Sequence, residues 1–461
     1  MKRFTALLLA LALLAAAALC AVAGRVNALS DRVTVTEHTL SGDRSAADGL
    51  TLKMRTAYRN RLYWDTAFTV GRDKKPETVY TYFGKAQREP WSAGYDFFLY
   101  DAVTVDVYRT YEEGDVLTGL DLAIAELQQA TPNGQSASRT FYLKDYFSCY
   151  PIGIDVNDMG INAKLTDGPL QRAFGDYFRI PVNDDDAVTV NVDKTYGSNL
   201  FPAVDSGAYG DYFSFLSRDV IAESRRICFL TFQNYFYNGE DEKTYVDTGL
   251  IPGGWGIYAF PFDPDVSFDS EHKGEGFLTG DIRTVLPLEK ETEVFELLLN
   301  SDESRLLVFT EEKDGAYLTV LDTDTLLQTQ RLRVGSSGFF QIKTKEGFTV
   351  AATNDAFSVL TEENGVFTLQ YTVNEPIVPE NAKETVWSFY DVDYKDGKLA
   401  WTSPSQGYDR ESCCDFYVAV FDKTGLLYAG IFENGVGSVN SADSQYNCYT
   451  DSDRSPEVRW S

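Results

Sequence analysis

The stretch Arg305–Val334, RLLVFTEEKDGAYLTVLDTDTLLQTQRLRV, constrains the fold more than any other part of the chain. Three runs rich in β-branched, aromatic and aliphatic residues follow one another there: Leu306–Phe309, Ala316–Asp322 and Gln328–Val334. Two short polar turns, Glu311–Gly315 and Asp322–Thr325, separate them. Asp-Gly and Asp-Thr-Asp reverse a chain readily, because Asp bonds its own backbone and Gly accepts left-handed torsions. Placed between alternating apolar runs, they predict successive hairpins, hence an antiparallel meander.

The same grammar recurs downstream. Phe339–Val373 carries turns at Lys345-Glu346-Gly347, Asn354-Asp355 and Glu363-Asn364-Gly365. Val386–Phe432 carries turns at Asp396-Gly397 and Lys423-Thr424-Gly425, with a polar insertion at Ser403–Ser412. Upstream, Arg225–Pro287 reads as a further unit with insertions around Asn238–Lys243 and Asp263–Gly276. Units of roughly 40 to 60 residues built from short strands have the size of propeller blades. Over Arg225–Phe432 the chain resembles the repeat β-propellers, and the resemblance implies a body closed by pairing strands from the two termini. Val33–Thr36 and Glu457–Trp460 are the alternating runs available for that. Trp64-Asp65 occurs once, without a preceding Gly-His pair, so the chain is not read as a WD40 protein; Trp64 is expected in the core.

The first half is less regular. Val33–Val70, Val79–Tyr111, Thr140–Leu165 and Phe174–Leu216 read as strand-rich units, broken by loops at Gly71–Pro76 and Asn183–Asp186. Aromatics make up 14% of the residues and cluster with β-branched neighbours, at Phe229–Tyr237 among other places, which argues for sheet throughout. One short helix is expected, Gly119–Ala130, where Leu120, Ala123, Ile124 and Leu127 fall on one face before Pro132-Asn133-Gly134. It would cover an edge or a junction between blades, or else bind a partner. The expected fold is therefore all-β, a β-propeller of about seven blades, within a range of six to eight. The alternative is an N-terminal β-sandwich before about Pro132 and a propeller after it.

Met1–Ala23 reads as a targeting segment: Lys2 and Arg3, an uninterrupted apolar run over Ala6–Leu19, then Ala21-Val22-Ala23 before Gly24. A retained membrane anchor is the rival, since the apolar run is about long enough to cross a bilayer as a helix. A lipoprotein signal at Cys20 fits less well, with Leu19 where a small residue belongs. Either way residues 24–461, the expected propeller body, work outside the cytoplasm. No Asn-x-Ser/Thr sequon occurs, which leans toward a bacterial exported protein. A net charge of −28 opposes nucleic acid and anionic lipid as partners, so membrane contact is expected only through the N-terminal segment.

Chemistry is sparse. Cys20 aside, the cysteines are Cys149, Cys228, Cys413, Cys414 and Cys448, an odd set with no Cys-x-x-Cys; one bridge among the last three is the plausible pairing. The two histidines, His38 and His272, sit in a strand-like run and a charged loop, and no Gly-x-Ser-x-Gly elbow accompanies them. Asn183–Asp186, Asp263–Glu271 and Asp322–Asp324 gather carboxylates as calcium requires, yet none matches the twelve-residue loop, and Asp is also an ordinary turn residue. No cofactor is expected, with structural calcium as the one admitted exception. Pro252–Gly256, PGGWG, is read as a flexible segment bearing one large aromatic, Trp255, which would stack on a sugar or partner or else plug a gap between blades. The expectation is a non-enzymatic binding or scaffold protein with a protein or glycan ligand. The alternative is a carbohydrate-active hydrolase or lyase using channel-facing carboxylates, for which the sequence singles out no pair.

Overall fold

In the computed structural model the described residues are 2–58, 61–71, 75–85, 95–101, 118–158, 161–164, 174–195, 203–205, 214–238, 242–266, 276–336, 338–382, 386, 389–404, 415–435, 446–448 and 456–461. The chain begins with α1 (Lys2–Ser30), then β1 (Val35–Gly42), β2 (Leu50–Tyr58), β3 (Leu62–Thr69), β4 (Glu77–Tyr82) and β5 (Tyr95–Asp101). After α2 (Gly119–Ala130) come β6 (Ser136–Tyr142), β7 (Ile152–Asp158), β8 (Ile161–Lys164), β9 (Ala187–Asp193), β10 (Ala203–Asp205) and β11 (Ser214–Leu216). Next are β12 (Arg218–Ala222), β13 (Ile227–Thr231), β14 (Tyr235–Asn238), β15 (Glu242–Tyr245), β16 (Gly256–Pro261) and β17 (Arg283–Pro287). Then follow β18 (Glu293–Leu299), β19 (Arg305–Glu312), β20 (Gly315–Asp322), β21 (Gln328–Gly335), β22 (Phe339–Lys345), β23 (Phe348–Thr353), β24 (Phe357–Glu363) and β25 (Val366–Val373). The last are β26 (Asp391–Lys395), β27 (Lys398–Pro404), β28 (Asp415–Asp422), β29 (Gly425–Asn434), β30 (Tyr446–Cys448) and β31 (Glu457–Trp460). The fold is all-β.

Two compact units divide the chain. The second comprises Ala93–Lys313 with Tyr317–Arg331, and the first the remainder, Met1–Ser92, Asp314–Ala316 and Leu332–Ser461.

Within the first unit, β22–β25 form a meander in chain order, from Phe339 to Val373 as the turns foretell. Asn364 and Gly365 both take positive φ, 54° and 75°, the geometry of a two-residue hairpin turn, and Asp396-Gly397 repeats it at 52° and 82°. The next sheet runs β26-β27-β28-β29 and then takes in β1 from the other end of the chain. Reciprocally, β31 pairs with β2, Leu50 opposite Trp460 and Lys53 opposite Glu457. Glu457–Trp460 thus joins a sheet built from the opposite end, and so do Val35 and Thr36 of the N-terminal run, within a strand that continues to Gly42. Faces of successive sheets share cores: Val350, Phe357 and Val359 pack with Trp401, Tyr417 and Phe421, while Val418, Val420 and Tyr428 pack with Leu50, Leu52, Met54 and Val458. Every residue of β23 is buried, so the central strands lose the alternation of a half-exposed sheet.

The second unit holds β18-β19-β20-β21, except for the residues of β20 and β21 grouped with the first. It also holds β12-β13-β16-β17, into which the separate hairpin β14–β15 is inserted. Phe229 and Ile257 of one sheet meet Leu297, Leu306, Val308 and Leu321 of the other. The remaining sheets are β11-β5-β7-β8 and β10-β9-β6, with α2 laid on the core through buried Leu120 and Ile124. A capping box, Thr118 with Asp121, starts α2 where the apolar periodicity begins.

Several boundaries differ from those read in the sequence. The sheet β12-β13-β16-β17 starts at Arg218, not Arg225, because Glu223–Arg225 is a 3-10 turn ending in left-handed Arg226. Val33–Val70 and Val79–Tyr111 are not separate units: β4 pairs with β3, and β1 leaves for β29. Nor is Thr140–Leu165 one unit, since β6 pairs with β9 while β7 pairs with β5. An N-terminal sandwich ending near Pro132 is excluded as well. Strand β5 pairs with β7 and β11 beyond that point, and β2 pairs with β31.

Candidate functional site

The carboxylate clusters serve the turns that contain them. Buried Asp186 accepts the Tyr150 hydroxyl at 2.5 Å and the Asn183 backbone N–H at 2.7 Å. Asp322 accepts the Thr325 N–H at 2.8 Å and Arg305 Nη1 at 2.6 Å, and these donors, Thr325 first, hold its carboxyl below the usual carboxylate range. Asp324 takes Arg225 at 2.8 Å, and Asp263 accepts the Asp265 N–H at 3.1 Å. Among the described residues no group of three or more His, Cys, Asp or Glu is placed to hold a metal ion. His38 is exposed and meets Glu433 at 3.0 Å across the β1–β29 pairing. Trp64 is buried beside the Tyr80 ring, as a core aromatic, and Asp65 pairs with Arg55 at 2.6 Å. Cys228 is buried, which raises its thiol, and Cys149 is unbridged. His272, Glu271, Cys413 and Cys414 lie outside the described residues, as do most of the Ser403–Ser412 insertion and residues 239–241 and 267–275 of the other two insertions.

The Pro252–Gly256 segment is not the flexible loop its composition suggests. Gly254 N–H bonds Ile251 O at 2.9 Å, Thr284 N–H bonds Pro252 O at 2.9 Å, and the Thr284 hydroxyl bonds Gly254 O. Gly253 has φ +98°, and a Cβ there would stand 2.8 Å from Thr284 Cβ, so the close approach of loop and β17 requires glycine. Leu288 N–H then bonds Trp255 O at 3.2 Å. So tethered, Trp255 packs one side against the large core of the second unit and turns another toward a cavity of about 480 Å³.

That cavity lies wholly in the second unit, beside β12 and β18, the first strands of adjacent sheets. Its lining mixes aromatic, charged and amide groups: Trp255, Tyr235, Arg218, Gln233, Asn234 and Glu293. Arg218, Asn234, Tyr235 and Glu293 are each held by their neighbours. Arg218 Nε donates to Phe295 O at 2.6 Å. Asn234 is buried, and its Nδ2 donates to Lys290 O at 3.1 Å. Tyr235 donates its hydroxyl to Glu293 Oε1 at 2.8 Å. The β14–β15 hairpin stiffens this wall: Lys243 Nζ sits 4.0 Å from the Tyr235 ring centre and 3.1 Å from Glu291, which also accepts the Tyr245 hydroxyl. A bulge at Phe295 lets Glu293 and Glu296 share one face of β18, because the register skips from Val294 to Glu296. Burial pushes the Glu296 carboxyl up, with Arg218 opposing. Glu296 does not line the cavity.

Of these residues the sequence singled out Trp255 by its glycines and Tyr235 only as part of an aromatic cluster. Arg218, Gln233, Asn234 and Glu293 carry no local signal. They converge because β12 lies against β18 and because a hairpin is inserted after Asn234.

No protein-family model and no curated protein matches the chain. Among solved structures, a putative 6-phosphogluconolactonase from Bacteroides fragilis is similar at 10% identity, over 83% of this chain and 97% of that one, with a TM-score of 0.29. The β-propeller domain of Cps50 (Swd1) from Myceliophteria thermophila is similar at 10% identity, over 65% and 86%, with a TM-score of 0.21. A chain of a mitotic checkpoint complex is 8% identical over 43% of this chain, with a TM-score of 0.24, and only 44% of that chain is spanned. Likenesses of this size assign no role to any residue.

Proposed function

We propose that this chain is an exported or membrane-anchored β-propeller that binds a ligand and does not transform it. The observation that carries the reading is the cavity beside Trp255, where an aromatic face and hydrogen-bonding groups from strands and from bonded loops converge. The propeller part rests on seven sheets of three to five strands among the described residues and on the reciprocal exchange of the terminal strands. On this reading each of the seven sheets is one blade. The extracytoplasmic part rests on Phe4–Arg25, a helical span apolar and long enough to cross a membrane, with none of it buried.

A hydrolase is the second reading, favoured by one observation: Glu293 and Glu296 share a face, and burial raises Glu296 as a general acid requires. Binding is preferred because Glu296 is not part of the cavity. The discriminating assay incubates the purified chain with a panel of glycans and measures released reducing ends. No release, with saturable binding of some probe, supports the binder. Release that Glu296→Gln abolishes would replace it with the enzyme.

A further inference from the structure

We infer that the cavity beside Trp255 takes a neutral sugar ring of a glycan, stacked on the indole and bonded at its rim by Arg218, Asn234 and Glu293. The inference rests on the binding reading above and names its ligand class.

The hydrogen-bonding groups left over decide the chemistry. Arg218 spends Nε on Phe295 O and reaches Ser217 O from Nη1 at 3.5 Å, so its guanidinium is held in place with Nη2 remaining as a donor. Asn234 spends Nδ2 on Lys290 O, which fixes the amide and keeps Oδ1 as an acceptor. Glu293 receives Tyr235 on Oε1 and keeps Oε2. Gln233 is exposed at the same rim and can both donate and accept. One donor, two acceptors and a two-way amide suit a ligand whose polar groups are themselves both donors and acceptors. Hydroxyls meet that description.

Charge narrows the choice. Arg218 and Glu293 are the charged residues of the lining and offset each other, so the lining carries no net charge to attract an ion. A phosphate or uronate would face Glu293, and an ammonium would face Arg218. An apolar peptide side chain would bury the fixed polar groups without bonding them, at about 1–3 kcal/mol for each one left unmet. A sugar ring alone combines an apolar C–H face for the indole with an uncharged, hydroxylated rim. Trp255 is already immobilised by its loop, so stacking on it orders little that was free.

The test titrates the full-length chain in detergent by calorimetry with cellohexaose, xylohexaose, mannohexaose, maltohexaose and chitohexaose. Polygalacturonate, inorganic phosphate and mixed tripeptides form a second panel. The expected result is binding of at least one neutral oligosaccharide, weakened at least about tenfold by Trp255→Ala and less by Trp255→Phe, which keeps an aromatic face. Asn234→Ala and Glu293→Gln should each weaken it by about fivefold or more. Trp255→Phe and Glu293→Gln keep the test decisive if Trp255→Ala does not fold. Binding that ignores all of these substitutions overturns the site. Binding only of the second panel overturns the neutral sugar and leaves the binding reading standing. Silence from both panels overturns both.

Discussion

Trp401 is fully buried, with the Tyr417 ring 5.1 Å away and Phe389 6.2 Å away. Nothing small can refill that volume, so Trp401→Ala should cost about 3–5 kcal/mol, read as a lower urea midpoint with little change in slope. Asp186, buried with Tyr150 and Asn183 both donating to its Oδ2, should cost about 1–3 kcal/mol on replacement by Ala. Because those donors already occupy it, we expect chelator to leave the melting temperature unchanged; a drop with EDTA would assign calcium to the loop. Two carboxyls pull stability in opposite directions with pH. Asp322 titrates lower folded than unfolded, so its contribution is present above the ordinary carboxylate pKa and lost as pH falls through the depressed value. Glu296 titrates higher folded, so stability falls as pH rises from the ordinary carboxylate value through the raised one. Asp322→Asn should flatten the acid limb of a stability–pH curve, and Glu296→Gln the limb above it. Turn aspartates were legible from spacing alone. The buried glutamate was not, because its burial comes from a neighbouring sheet.

At the scale of elements, β31 shows how a four-residue strand is kept. One edge pairs with β2, and Val458 beneath it is fully buried. The other edge is met by side chains: the Val458 N–H donates to Asp391 Oδ2 at 2.8 Å and the Trp460 N–H to Asp393 Oδ2 at 2.6 Å. Carboxylates from β26 thus stand where a partner strand's carbonyls would. Asp393→Ala should cost about 1–3 kcal/mol and specifically abolish amide-exchange protection at Trp460. Asp391→Ala should cost more, because it also strands Lys345, its ion-pair partner. Unchanged protection at residues 458 and 460 in the double variant would show that β2 alone holds the strand. Hairpins such as β24–β25 are written in their turn dipeptides, where Asn364 and Gly365 demand positive φ. The interleaving of β6 with β9 around β7 and β8 has no such local mark, since that pairing is chosen by which faces bury Phe141, Val188 and Val190.

For the whole molecule the testable question is what α1 does. An apolar span of 22 residues, none of it buried, favours a lipid environment if retained. The full chain should then partition into the detergent phase of a Triton X-114 separation, and the chain beginning at Gly24 into the aqueous phase. N-terminal sequencing of the membrane and soluble extracytoplasmic fractions decides which form the cell makes. Intact Met1 in the membrane supports an anchor; Gly24 in the soluble fraction supports a cleaved signal.

Local chemistry in the sequence was enough to determine the all-β class, the α2 helix from Gly119 to Ala130, the span of the β22–β25 sheet and the last strand, Glu457–Trp460. Each depends on neighbours a few residues away: turn dipeptides, apolar periodicity and a stop at Pro132. Only the tertiary structure decided the rest. It sent β1 to β29 and β31 to β2, bonded the glycine loop of Trp255 to Thr284, and brought Arg218 and Glu293 to one cavity from strands more than seventy residues apart. Such convergence follows from burying sheet faces against one another, and burial is nearly indifferent to distance along the chain.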